Sequence, residues 1–168
     1  MGAAGLIEIK RRLKSVESTR KITKAMGLVA TSKLRKVRNE LANNEKYNEL
    51  CKDIVDVVVS NLPEGYESIY CTERNGDKLY IVLTSDTGLC GGYNNNVIAY
   101  LKEVLDNESG TEKIVLVGSK GLSYMSKYGL STFNQYVSIP DIPTIAEINK
   151  IYNEAIYLYK QGDISEVN

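Results

Sequence analysis

Lys78-Leu79-Tyr80-Ile81-Val82-Leu83-Thr84, followed at once by Ser85-Asp86-Thr87-Gly88-Leu89-Cys90-Gly91-Gly92-Tyr93-Asn94, is the stretch on which the fold turns. An apolar run with a glycine-rich turn behind it reads as a buried strand leading into a helix that opens near Asn94. Downstream, Lys113 to Val117 is a second such run, and Gly118 leads into a short helix near Lys120 to Tyr128. A third strand is expected around Thr132 to Val137. Strands that alternate with helices pair in parallel through right-handed crossovers, so residues 78–168 are expected to form a Rossmann-like α/β unit. Pro140 and Pro143 mark a loop, and Thr144 with Glu147 forms a capping box for a last helix to about Lys160. Gly162 to Asn168 reads as the run-up to a further strand, so the unit is expected to be incomplete.

Upstream the pattern changes. From Leu6 to Val59 there is no proline, and Gly27 stands alone among residues that favour helix, so residues 1–60 read as one long helix. Leu6, Ile9, Leu13, Val16, Thr19, Thr23, Met26, Ala30, Leu34, Val37 and Leu41 follow one another at steps of three or four, the spacing of a coiled-coil seam. The small side chains of Thr19, Thr23 and Ala30 at its middle let a partner helix come close. At 1.5 Å per residue the helix is roughly 80 Å long, so much of it is expected to project. Asn61, Pro63 and Gly65 end it, and residues 61–77 read as an exposed loop of low order.

The charge is divided between these parts. Lys and Arg number 21, as do Asp and Glu, yet residues 1–38 hold 11 basic side chains against two acidic ones. An end this basic meets a polyanion or an acidic protein surface. Lys10, Arg11, Arg12, Lys14, Arg20, Lys21, Lys24, Lys33, Arg35, Lys36 and Arg38 carry the charge. A nucleic-acid helix is disfavoured, because the apolar seam runs straight through this stretch and the first aromatic residue is Tyr47. Docking against acidic protein loops is the stronger reading. Asp106 and Glu108 read as solvated helix ends.

Other chemistry is excluded by composition. The sequence has no His, which removes Ser-His and Cys-His nucleophiles. Cys51, Cys71 and Cys90 have no C-x-x-C spacing, so neither a thiolate metal site nor a disulfide framework is expected. The turn Ser85 to Tyr93 sits where phosphates bind, yet its glycines at 88, 91 and 92 match neither G-x-G-x-x-G nor a P-loop. The expected role of Asp86, Gly88, Gly91 and Gly92 is a tight structural turn in which Asp86 caps backbone amides, with Cys90 as a buried thiol.

Ser15 to Lys36, with Lys21-Ile22-Thr23-Lys24-Ala25-Met26 and Lys33-Leu34-Arg35-Lys36, resembles the N-terminal helix of the gamma subunit of F-type ATP synthases. Ser85 to Asn94 is similar to that family's second hallmark, and Val117-Gly118-Ser119-Lys120-Gly121 fits its next strand-to-helix turn. The family's long C-terminal helix has no counterpart in these residues. The resemblance implies a non-catalytic central-stalk rotor without a cofactor, half of an antiparallel coiled coil set inside a ring of alpha and beta subunits. It implies that Lys21, Lys24, Arg35 and Lys36 face acidic beta loops, with Ile22 and Met26 as apolar bearing contacts. It implies that the α/β unit is a foot meeting the epsilon subunit and the c-ring, where ion flow is coupled to ATP synthesis or hydrolysis. The location implied is peripheral, on the cytoplasmic face of a bacterial membrane. The alternatives left by the residues themselves are a Rossmann-like nucleotide binder and a basic-helix nucleic-acid binder.

Overall fold

The computed structural model describes residues 2–108 and 110–168. They fall into two compact units, Met1–Leu62 and Pro63–Asn168.

The first unit is one helix, α1 (Ala3–Ser60), of 58 residues. The hydroxyls of Thr19, Thr23 and Thr31 donate to the carbonyls of Ser15, Thr19 and Gly27 at 2.8–3.0 Å, which satisfies them within the helix. Asn61 ends it at φ −110°: its backbone N–H turns back to the Val58 carbonyl, and that of Leu62 to the Val59 carbonyl. The Asn61 side-chain amide donates to the Val57 carbonyl at 2.7 Å. Every described side chain of α1 is exposed except Cys51, which is half-buried.

The second unit runs β1 (Asp77–Leu83), α2 (Tyr93–Asp106), β2 (Glu112–Val117), α3 (Gly121–Lys127), β3 (Asn134–Tyr136), α4 (Ile145–Gln161) and β4 (Ile164–Val167). The strands form one sheet in the order β3-β2-β1-β4, every pair parallel. This is the first part of a Rossmann order, in which the chain steps outward from β1 to β3 and then returns across β1 to β4. What the sequence suggested as a run-up is itself the fourth strand: the Asn168 N–H donates to the Leu79 carbonyl and the Ile81 N–H to the Asn168 carbonyl.

Alternation along the strands divides the core into two layers. Tyr80, Val82, Ile114 and Leu116 point to one face, where α2 covers them with Ile98, Leu101 and Leu105 and α3 with Met125. Leu79, Val115 and Ile164 point to the other, under Ala155 and Leu158 of α4. Leu79, Ile98, Leu116, Met125 and Ile164 are almost wholly buried, each stabilising by about 1.5–3 kcal/mol. Helix α4 starts at the Thr144–Glu147 capping box and stops at Gly162, whose φ of 85° suits a residue without Cβ.

One expectation is corrected at the amino edge of the sheet. Glu108 is not a solvated helix end: it accepts from Lys78 Nζ at 3.0 Å, while Glu166 of β4 lies 3.3 Å from the same ammonium. Asp77 likewise receives Lys113 and the Thr111 hydroxyl. Residues 61–76 carry no helix or strand and are mostly exposed, and the Tyr159 hydroxyl on α4 donates to the Ile69 carbonyl at 2.7 Å.

Leu116→Ala is expected to cost about 2–5 kcal/mol in urea unfolding followed by near-ultraviolet tyrosine signals. Leu13→Ala, at a side chain already 59% exposed, is expected to leave that transition in place. Equal losses in the two variants would contradict this division of the core.

Candidate functional site

The first candidate site is the surface of α1. Its apolar seam lies open along its whole length, from 36% exposed at Val37 to 64% at Val16. A seam of this length with no cover is a surface awaiting an apolar partner. Where its side chains are small, a shallow groove of about 620 Å³ is lined by Ser15, Val16, Thr19, Arg20, Thr23 and Lys24. Lys21, Ile22, Lys24, Met26, Arg35 and Lys36 are all exposed on the same helix. At about 100° per residue, Lys21, Lys24 and Arg35 fall within about 60° of one another, on the side turned away from the seam. Met26 belongs to the seam and Ile22 flanks it. Lys36 lies apart from the other three cations. Glu17 sits among Arg20, Lys21 and Lys24, and the surface there is polar.

The second candidate is the carboxyl edge of the sheet, where the glycine-rich turn leaves β1. The Ser85 N–H donates to Asn94 Oδ1 at 3.0 Å, and Asn94 Nδ2 donates to Ser85 Oγ at 2.8 Å and to Cys90 Sγ at 3.2 Å. Asn94 is 3% exposed, and its amide closes the mouth of the turn. The Asp86 carboxylate caps backbone amides, as the sequence suggested, but not those of its own turn. It reaches the next crossover instead, accepting from the Ser119 N–H at 2.9 Å. Burial pushes the Asp86 carboxyl up, but the amides of Ser138, Ser119 and Ile139 and the Ser119 hydroxyl prevail and hold it below its usual range. Gly91 has φ 59°, and Leu89, at φ 65°, stands 93% exposed at the tip. Around Gly88 there is open space, and Gly92 faces only the Asn96 side chain. Cys90 is exposed, contrary to the buried thiol expected.

Several positions that tie this edge together escaped the sequence reading. Gly118 has φ 98°, and a Cβ there would come within 2.2 Å of the Thr84 carbonyl oxygen. Thr84 Oγ1 donates to the Val117 carbonyl at 2.8 Å and accepts from the Gly121 N–H at 3.2 Å. Gly118 was legible as a turn, but the close approach that demands it was not. Asn94 carried a weaker signal, a polar residue at the second position of an amphipathic helix.

The chemistry of the turn is that of a closed knot. A phosphate entering it would have to displace the Asn94 amide and lie beside a carboxylate held in its charged form. Among the described residues no three His, Cys, Asp or Glu side chains are grouped to hold a metal ion. Nor is any described helix long and apolar enough to cross a membrane.

Comparison with known proteins agrees with the open helix. Residues 5–168 match the ATP synthase family. The ATP synthase gamma chain of Clostridium botulinum is 53% identical over 169 residues, covering 100% of this chain and 60% of that protein. The gamma chain of Clostridium beijerinckii is 49% identical with the same coverage. The chain therefore spans about 60% of the length of these curated relatives. An electron cryo-microscopy structure of the rotor of the Euglena gracilis mitochondrial ATP synthase superposes with a TM-score of 0.40, at 20% identity, over 73% of this chain and 52% of that one.

The Asp86 contacts predict a pH dependence. A carboxyl whose folded pKa is depressed stabilises the fold above its unfolded value, near 3.8, and loses that contribution as the pH falls through the folded value. The urea midpoint of the parent should exceed that of Asp86→Asn at about pH 6, and the gap should close as the pH drops below 3.8. A gap that stays constant over that range would show that Asp86 does not clamp the edge through its charge.

Proposed function

The chain belongs to the ATP synthase family, and on that premise we propose that it supplies the first long helix and the α/β unit of a gamma-chain rotor. It is a non-catalytic part of an enzyme whose chemistry is done elsewhere. The observation that carries this reading is the open apolar seam on α1: a 58-residue helix exposing leucine, isoleucine, valine and methionine at coiled-coil spacing. In the proposed assembly a second helix covers the seam, and the pair turns inside a ring of alpha and beta subunits.

An asymmetric rod acts on chemically identical sites by touching each one differently as it turns. Its contact energy favours one conformation of the neighbour over another, and rotation moves that bias from site to site. The cations at Lys21, Lys24 and Arg35, with Lys36 further round the helix, suit acidic loops on the beta subunits. Exposed ion pairs of this kind are weak, about 0–1 kcal/mol each, and slide without locking. Ile22 and Met26 would serve as apolar bearing contacts. Asp86, Gly88, Gly91 and Gly92 would shape the edge of a foot that meets the epsilon subunit and the c-ring. Association with the cytoplasmic face of the bacterial membrane would then be indirect, through the complex.

A chimera tests the proposal. These 168 residues replace the matching first part of the C. beijerinckii gamma chain, and the complex is assayed for ATP-driven proton pumping. Assembly with pumping restored is expected, and failure to join alpha and beta subunits would overturn the reading. Within the chimera, Lys21→Ala with Lys24→Ala and Arg35→Ala is expected to lower pumping several-fold while leaving assembly intact, whereas Val16→Asp with Thr23→Asp should prevent assembly.

A further inference from the structure

The segment between α1 and β1 is fastened to α4 at a single residue, Tyr159. Tyr159 stands in the last turn of α4 and holds residues 69–74 in several ways at once. Its hydroxyl donates to the Ile69 carbonyl at 2.7 Å. Its ring stacks on Tyr70, with centroids 5.9 Å apart and planes 11° from parallel. Arg74 crosses back over the ring, its guanidinium carbon 5.2 Å from the centroid, while Arg74 Nη1 donates to the Tyr159 backbone carbonyl at 2.7 Å. That carbonyl lies in the last turn of α4, where it also accepts from the Gly162 N–H at 3.2 Å, and an arginine is a favourable second donor there.

Inside the fastened segment the backbone forms a small turn around Ser68. The N–H groups of Cys71 and Thr72 donate to the Ser68 carbonyl at 3.0 and 3.1 Å. The Thr72 hydroxyl donates to the same carbonyl at 3.0 Å. Beyond Arg74 the segment is pinned again, since the Ser165 hydroxyl of β4 donates to the Gly76 carbonyl at 3.1 Å. A segment of this length without helix or strand would otherwise be a flexible tether.

We propose that Tyr159, Tyr70 and Arg74 form a strap that converts the covalent link from the long helix into a stiff element of the α/β unit. The strap deepens the rotor reading and rests on it for its purpose. A slack tether between a turning foot and its helix stores rotation as chain extension; a strapped one passes it on. Arg74 matters through shape as well as charge, because its planar fork reaches the carbonyl while its face lies on the ring.

Hydrogen exchange on the 168-residue chain tests the strap whether or not the chain serves in a rotor. In Tyr159→Phe, which keeps the ring and loses the bond to Ile69, the amides of Cys71 and Thr72 should exchange several-fold faster than in the parent. In Arg74→Ala the increase should be about tenfold or more, and Arg74→Lys should restore little of the protection. Amides of β2, within the sheet, and of α2, on its far face, should keep their parental rates in all of these variants. Unchanged exchange at Cys71 and Thr72 in both Tyr159→Phe and Arg74→Ala would overturn the proposal, as would acceleration of equal size in β2 and α2. The pumping assay on the chimera separates the readings: a strap present in a chain that cannot pump leaves the strap standing and removes its purpose.

Discussion

A parallel sheet has to be covered on both faces, because its crossover connections carry helices over it and its strands are apolar on both sides. The α/β unit is arranged around that requirement. Stepping from β1 to β2 to β3 lays α2 and α3 on one face, and the return across β1 to β4 brings α4 down on the other. The reversal falls at β1, whose alternating side chains serve both layers: Tyr80 and Val82 in one, Leu79 and Ile81 in the other. The polar ties follow from the same geometry. Where β1 and β2 end side by side, Gly118 lets their carbonyl ends approach. Where they begin, Lys78 and Asp77 gather their ion-pair partners.

The long helix obeys the opposite rule. It is helical by propensity and by the absence of breakers, with its threonines satisfied by its own backbone, and no described side chain of it is buried. Tertiary burial supplies most helical stability in globular proteins, so an uncovered seam marks where further stability comes from on assembly. Lys21, Lys24 and Arg35 lie on a different side from the seam, which separates a surface suited to permanent apolar cover from one suited to transient contact.

Most of this architecture was legible in the sequence because it is written in local patterns. The steps of three and four from Leu6 to Leu41, the run from Lys78 to Thr84 and the Thr144–Glu147 box each report on neighbours close in sequence. The misreadings concern partners far apart. Glu108 meets Lys78 across 30 positions, Asp86 meets Ser119 across 33, and Tyr159 meets Ile69 across 90. No spacing rule announces such pairs: Glu108 reads as a solvated helix end and Asp86 as a cap within a tight turn, and Tyr159 carries no signal in the sequence. Cys90 was misjudged for a related reason. Its neighbours suggested a packed turn, whereas Asn94 fills the interior and leaves the residue outside.

The contrast between local and distant contacts also orders events in time. A helix needs only neighbours in the chain and forms in about a microsecond, whereas parallel strands must wait for their crossovers to be made. At roughly 5–20 residues per second, the ribosome completes α1 several seconds before β4 exists to close the sheet. For that interval the nascent protein is an amphipathic rod with its apolar side bare, a substrate for chaperones before it is a partner for anything else.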